Sequence, residues 1–180
     1  MIYNPREDSF LLEKAVKKYA KGKSFLDIGA GSGIQAKAAI KMGAKYVLAS
    51  DINQEAVRNL KKQNISVIKS NLFEKIKERF DIIAFNPPYL PGDKREDGES
   101  QLATTGGEKG DEIIIKFLNE AKSHLNKKGI ILLLLSSLTP KKRILETLKK
   151  QNLSYKIIDS EKFFFESLEV WKIEQSSLKA

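Results

Sequence analysis

The chain has no cysteine and, among its 180 residues, a single histidine and a single tryptophan. Without thiols neither a disulfide framework nor a thiolate metal site can form, and one imidazole is too few for a protein-built zinc site. No metal is therefore expected. Long hydrophobic runs are also missing. The longest, GIILLLL from Gly129 to Leu135, falls far short of the roughly 20 apolar residues that cross a bilayer. The opening MIYNPREDSF has neither the basic n-region nor the apolar h-region of a secretory signal. These absences point to a soluble, cytoplasmic protein with no membrane partner.

What is present suits one domain over residues 1–180, with 41% apolar and 31% charged residues and enough length for a substantial core. The net charge is +9. A nucleic-acid surface is one reading of that charge; a solvated lysine-rich surface is the other. The lysines are spread along the chain without interleaved aromatics, so charge alone does not decide.

Short β-type runs alternate with helical periodicity. EDSFLLEKAVKKYA (7–20) reads as a helix with Phe10, Leu11, Ala15, Val16 and Tyr19 on its apolar stripe. SFLDIGAG is a buried strand entering a glycine loop, IQAKAAIKMG a helix and YVLASD a second strand. NQEAVRNLKKQN is a helix capped by Asn53. ISVIKS (Ile65–Ser70) is a third strand, FDIIAFNPP a fourth. A polar insert spans Leu90 to Gly110, the kind of long loop that carries function in a compact domain. Helix DEIIIKFLNEAKSHL, strand GIILLLLSS, helix PKKRILETLKKQN and two closing strands (153–165 and 167–174) complete the chain. The alternation predicts an α/β fold, a doubly wound, mostly parallel seven-stranded Rossmann-like sheet ending in an antiparallel hairpin. His124 is expected to be solvated on a helix and Trp171 to pack on the closing hairpin; KFFF (Lys162–Phe165) reads as part of a core strand, with a partner surface as its other reading.

Two stretches carry chemistry. DIGAGSG (Asp27–Gly33) closes the first strand and opens a helix, and Asp51 ends the second strand about 20 residues on, where an acid accepts hydrogen bonds from ribose hydroxyls. Gly31, Gly33 and Ala36 also fit a dinucleotide fingerprint, so NAD stays open. Asp27, just before the glycines, would repel a pyrophosphate and suit an ammonium, which favours S-adenosylmethionine. The second stretch is Asn86-Pro87-Pro88-Tyr89, at the exit of the fourth strand. The Asn86 side-chain oxygen and the Pro87 carbonyl can each accept one N–H of a planar NH₂ group and aim its nitrogen at a methyl donor. The prolines stiffen the segment, and Tyr89 offers a stacking face. Asn86, Pro87 and Tyr89 are the catalytic candidates.

With these motifs in this order the chain resembles the HemK/PrmC group of class I methyltransferases, which modify the glutamine side-chain amide of release factors. NPREDSFLL at the start and TTGGEKGDEIIIKFL after the clamp look like its short, single-domain archaeal and eukaryotic branch. The resemblance implies S-adenosylmethionine as cofactor, bound by Ser9, Asp27, Gly29, Gly31, Asp51, Asn71 and Asn86. It also implies a substrate site of Asn86, Pro87, Pro88, Tyr89 and Leu90. The family usually has aspartate where Asn71 stands; an asparagine oxygen still accepts from the adenine amino group, without the charge. Ser9 has a second reading, as a cap with Asp8 for the first helix. The implied substrate is the glutamine of the Gly-Gly-Gln loop in a class I release factor, with nucleic acid not required. The implied partner is a small zinc-binding activator protein adding a strand at the sheet edge near Ile65–Ser70. The alternative is an exocyclic-amine methyltransferase on adenine or guanine, which the same clamp would serve.

Overall fold

A computed structural model describes residues 4–88 and 109–176. Helix α1 (Glu7–Tyr19) leads into strand β1 (Ser24–Ile28), followed by α2 (Ile34–Lys41), β2 (Tyr46–Asp51), α3 (Gln54–Lys62) and β3 (Val67–Lys69). Then come β4 (Phe80–Phe85), α4 (Glu112–Ala121), β5 (Leu125–Ser136), α5 (Lys141–Lys150), β6 (Leu153–Lys162) and β7 (Ser167–Gln175). The strands form one sheet in the order β3-β2-β1-β4-β5-β7-β6. Neighbours from β3 to β5 pair in parallel, and β7 runs antiparallel to both β5 and β6. The expected doubly wound sheet with a closing hairpin is therefore the observed one.

Strand alternation sorts the core into two layers. Phe25, Ile82, Ala84, Leu132, Leu134 and Val170 meet Leu11, Leu12, Ala15 and Val16 of α1 and Ala38 and Ala39 of α2. On the other face Leu26, Ile83, Phe85, Ile131, Leu133 and Trp171 meet Ile114, Phe117 and Leu118 of α4 and Ile144 and Leu148 of α5. Trp171 is buried and stacks on Tyr155 of β6 at 4.0 Å between ring centroids, so the hairpin packing expected of it is seen.

Several expectations need correction. Phe10 lies outside the apolar stripe and is half exposed. β3 is only three residues long, because Asn64 turns the chain with a positive φ of 57° and Ile65 dips into the core beside Leu60 before pairing begins. Helix α4 stops at Ala121, and a 3₁₀ turn, Lys122–His124, follows it. His124 is not on a solvated helix face: its ring stacks on Phe73 at 4.5 Å, and Nδ1 lies 3.1 Å from the Glu78 carbonyl. KFFF is not core either. β6 ends at Lys162, and Phe164 and Phe165 are 92% and 86% exposed at the hairpin turn. Most of the 90–110 insert lies outside the described residues.

Candidate active site

Parallel pairing brings the candidate residues to one edge. Ile28 is opposite Ser50 of β2 and Phe85 of β4, so the next residue of each strand, Gly29, Asp51 and Asn86, emerges at one level. This is the carboxyl edge of the sheet, where open α/β folds bind ligands. The turn after β1 needs left-handed backbone, with φ of +63° at Gly29 and +50° at Gly31. Gly33 needs its missing side chain as well as its φ of +78°, since a Cβ there would lie 2.4 Å from Leu60 Cδ2.

Asp51 ties this loop to β2. Its Oδ2 accepts the Gly31 N–H and its Oδ1 the Asn53 N–H, both at 2.8 Å. Each oxygen keeps lone-pair capacity for a further donor. Asp27 is buried, 2% exposed, and accepts the N–H of Ala36 in the first turn of α2 at 3.0 Å. Burial pushes its pKa up, the Ala36 bond opposes this and repulsion from Asp51 adds to it, with a result of about 7. Such a carboxylate favours a ligand that brings positive charge. Asn71, after β3, donates its Nδ2 to Glu74 Oε1 at 2.8 Å, which leaves the amide oxygen to accept.

Asn86 is held from one side and open on the other. Its Nδ2 donates to Asp8 Oδ2 at 3.0 Å, and its Oδ1 is buried with no hydrogen-bond partner among the described residues. A carboxylate only accepts, so Asp8 settles which end of the Asn86 amide faces it and turns the other end free. A buried acceptor without a donor costs roughly 1–3 kcal/mol, and such atoms mark places where a ligand completes the bonding. Pro87 is buried and Pro88 half-buried; Tyr89 and Leu90 lie outside the described residues.

Ser9 is buried in the first turn of α1, where its N–H and Oγ donate to Asp8 Oδ1 at 2.6 and 3.2 Å. Neither Ser9 nor Asp8 is the N-cap, a position held by Arg6 without a side-chain cap bond. The Ser9 carbonyl accepts Gln35 Nε2 of α2 at 2.9 Å, which joins the start of α1 to the glycine-loop helix. Asn53 does cap α3, accepting the Glu55 N–H at 2.8 Å. Asp8, which the sequence offers only as a helix cap, joins the candidate site through its bond to Asn86, and Ile52, next to Asp51, is half-exposed. A shallow depression lined by Leu145, Leu148, Asn152 and Tyr155 lies at the opposite end of the sheet and brings together none of this chemistry.

A Rossmann-like sheet in this strand order, with a glycine loop, two acids and an amide acceptor at its carboxyl edge, defines the class of S-adenosylmethionine-dependent methyltransferases. Comparison with known proteins agrees. The family model for the methyltransferase small domain matches residues 7–164. A Methanocaldococcus jannaschii protein named "putative protein N5-glutamine methyltransferase" is 39% identical, over 96% of this chain and 92% of its own length. A release factor glutamine methyltransferase of Streptococcus pneumoniae is also 39% identical, over 61% of this chain and 44% of the relative. Among solved structures, the E. cuniculi Mtq2–Trm112 complex, described as responsible for methylation of the eRF1 translation termination factor, has a TM-score of 0.80 and 25% identity. That match covers 97% of this chain and 99% of the other. A 16S rRNA N2 G1207 methyltransferase of T. Thermophilus, solved with AdoMet and guanosine, shares the fold, with a TM-score of 0.66, 20% identity and coverage of 96% of this chain and 44% of its own. The chain belongs to the methyltransferase small domain family, and its cofactor is S-adenosylmethionine.

Proposed function

We propose that this single-domain chain methylates the side-chain amide nitrogen of a glutamine in a protein substrate, the Gly-Gly-Gln loop of a class I release factor. The observation that carries this is the Asn86 Oδ1 atom at the end of β4, a buried acceptor without a donor among the described residues, held in orientation by Asp8. The residues suit the cofactor. Its ammonium matches Asp27, its ribose hydroxyls Asp51, its adenine amino group the Asn71 oxygen, and its adenine face Ile52. Ser9, Gly29 and Gly31 border the same space. S-adenosylmethionine supplies an electrophilic methyl group.

The protein's part is to orient the acceptor. An amide nitrogen is a poor nucleophile because its lone pair is delocalised. Asn86 Oδ1 takes one of its hydrogens and the Pro87 carbonyl the other, which turns the nitrogen's remaining face toward the methyl group. Both acceptors bind more strongly as positive charge grows on the nitrogen, so they favour the transition state over the ground state. Asp8 acts through Asn86 as a positioning residue. Pro88 continues the same segment beside the acceptor side chain; Tyr89 and Leu90, which the sequence assigns to the substrate, lie outside the described residues. No base is required, since the methylated amide can lose its proton to water. The M. jannaschii and S. pneumoniae relatives, named as glutamine methyltransferases, support glutamine as the acceptor, and the Mtq2–Trm112 complex, described as methylating eRF1, supports a termination factor as the substrate. That complex also supports a small protein partner, which we place at the β3 edge and expect to be zinc-binding. A release factor as substrate sets the reaction in the cytoplasm; no helix among the described residues is long and apolar enough to cross a membrane.

The test is methyl transfer from labelled S-adenosylmethionine to purified release factor, in parallel with total RNA. Label on the Gly-Gly-Gln glutamine is the expected result. Label on RNA alone overturns the proposal and leaves the exocyclic-amine reading.

A further inference from the structure

The β6–β7 turn exposes two phenyl rings at the edge of the sheet where the chemistry sits. β6 runs toward the carboxyl edge and β7 leaves it, since Lys162 pairs with Ser167 and Leu168 with Ser136, the last residue of β5. The turn is well anchored. Phe163 N–H donates to the Glu166 carbonyl at 2.7 Å, Ser136 Oγ donates to Glu166 Oε2 at 2.6 Å, and Ser137 N–H to the Ser167 carbonyl at 2.8 Å. Phe164 and Phe165 lie edge to face at 4.6 Å. The half-exposed Leu138 follows the Ser137 that holds this turn. From β4 to β6 the sheet crosses three strand spacings, about 14 Å at the usual distance.

We propose that Phe164 and Phe165, with Leu138 beside them, form the docking contact for the protein substrate, gripping its folded body while one glutamine reaches Asn86. Rigid exposed aromatics of this kind are the usual anchors of protein interfaces. Charge selects a protein over a nucleic acid here. Between Asp159 and Glu166 the chain carries Asp159, Glu161 and Glu166 against Lys162 alone, in a protein whose net charge is +9. An acidic hairpin would repel phosphates, whereas it complements a surface with an apolar groove and basic rim. Docking of this kind rests on the reading of the chain as a protein methyltransferase.

The experiment compares the wild-type chain with the double variant Phe164→Ser/Phe165→Ser on full-length release factor and on a short peptide containing Gly-Gly-Gln. Both rings are almost wholly exposed, so the variant keeps its fold. We expect KM for the release factor to rise at least about tenfold, as loss of an aromatic anchor does. Peptide methylation and S-adenosylmethionine affinity should stay at wild-type levels. Unchanged KM, in a wild-type enzyme that does methylate release factor, overturns the docking proposal and spares the function. Equal loss on protein and peptide also overturns it, as does a loss confined to RNA. Failure of the wild-type chain itself on release factor and peptide sinks the protein-substrate reading, and with it the docking.

Discussion

At the amino ends of the strands Asp81 is crowded with donors, whereas at the carboxyl ends Asp27 has one among the described residues. Asp81 Oδ2 accepts the N–H and Oγ of Ser24, both at 2.9 Å, and Oδ1 accepts Asn126 Nδ2 at 2.8 Å. Lys45 adds a charge at 3.4 Å. Burial alone would raise the Asp81 pKa, but these bonds and that charge outweigh it and bring it down to about 2. Among the described residues Asp27 has only the Ala36 amide against its burial, and its pKa is raised to about 7. One end of the sheet satisfies its polar groups and fastens β1 to β4 and β5. The other leaves a carboxylate, the Asn86 oxygen and two phenyl rings in need of partners. Such unmet demand is what a binding site looks like before its ligand arrives.

The sharpest way to break this comparison is at Asn86. Asn86→Ala removes the unpartnered acceptor, and kcat should fall about 10²–10³-fold, the usual cost of losing an oriented transition-state contact. Affinity for S-adenosylmethionine should fall much less. Asp8→Asn should lower kcat by a smaller factor with little change in KM, because the Asn86 amide is then free to turn over. Turnover near the wild-type rate in Asn86→Ala would sink the clamp.

Next in size is the satisfied end. Asp81→Ala leaves Ser24 and Asn126 without their charged acceptor, so unfolding free energy in urea should drop by about 1–3 kcal/mol, while kcat per folded molecule is unchanged. The sign in pH follows from the lowered pKa. The stabilisation from Asp81 is complete above 3.8 and lost as pH falls through about 2. A catalytic defect with normal stability would mean that the two ends are not separate in role.

Asp27 runs the other way. Its pKa is raised, so its contribution to the stability of the free protein is complete below 3.8 and lost as pH rises through about 7. Asp27→Asn should therefore be at least as stable as wild type at pH 8 while binding the cofactor more weakly. A cationic ligand needs the ionised carboxyl. Wild-type affinity for S-adenosylmethionine should weaken up to about tenfold for each pH unit below 7, and the Asn variant should lack that slope. A flat wild-type profile by calorimetry would place the ammonium away from Asp27.

Local features were legible in the sequence and long-range ones were not. Strand and helix periods, the Asn53 cap, the two acids and Asn86 are all written in short windows of sequence. Asp8 could not be found that way, because it gains its role from a residue 78 positions along the chain. The need for Gly33 depends on Leu60 packing above it. Phe163–Phe165 read as core because hydrophobicity does not say where a strand ends; only the pairing of Lys162 with Ser167 puts the turn there. His124 is likewise placed by Phe73, an aromatic neighbour remote in sequence.

The smallest expected effect concerns β3, where the two edges of the sheet can be compared. β6 forms the other edge. It is longer, mostly exposed and irregular around Ile158, with Lys156, Asp159, Glu161 and Lys162 along it, features that discourage strand addition. β3 is short, with Val67 and Ile68 half-buried and one charge, Lys69. Ala49 N–H donates to the Ser66 carbonyl and Ser70 N–H to the Asp51 carbonyl. Strand alternation then turns the Ile68 N–H toward β2 and the Val67 N–H outward. A partner strand would accept from Val67. Val67→Pro removes that donor and leaves the β2 ladder intact, whereas Ile68→Pro breaks the sheet itself and is the poorer probe. One lost backbone bond is worth roughly 0.5–1.5 kcal/mol, so the partner's Kd should rise about two- to tenfold in Val67→Pro and hardly at all in Val67→Ala. Equal effects of the two substitutions would point to side-chain docking in place of strand addition, and no effect of either would move the partner off this edge.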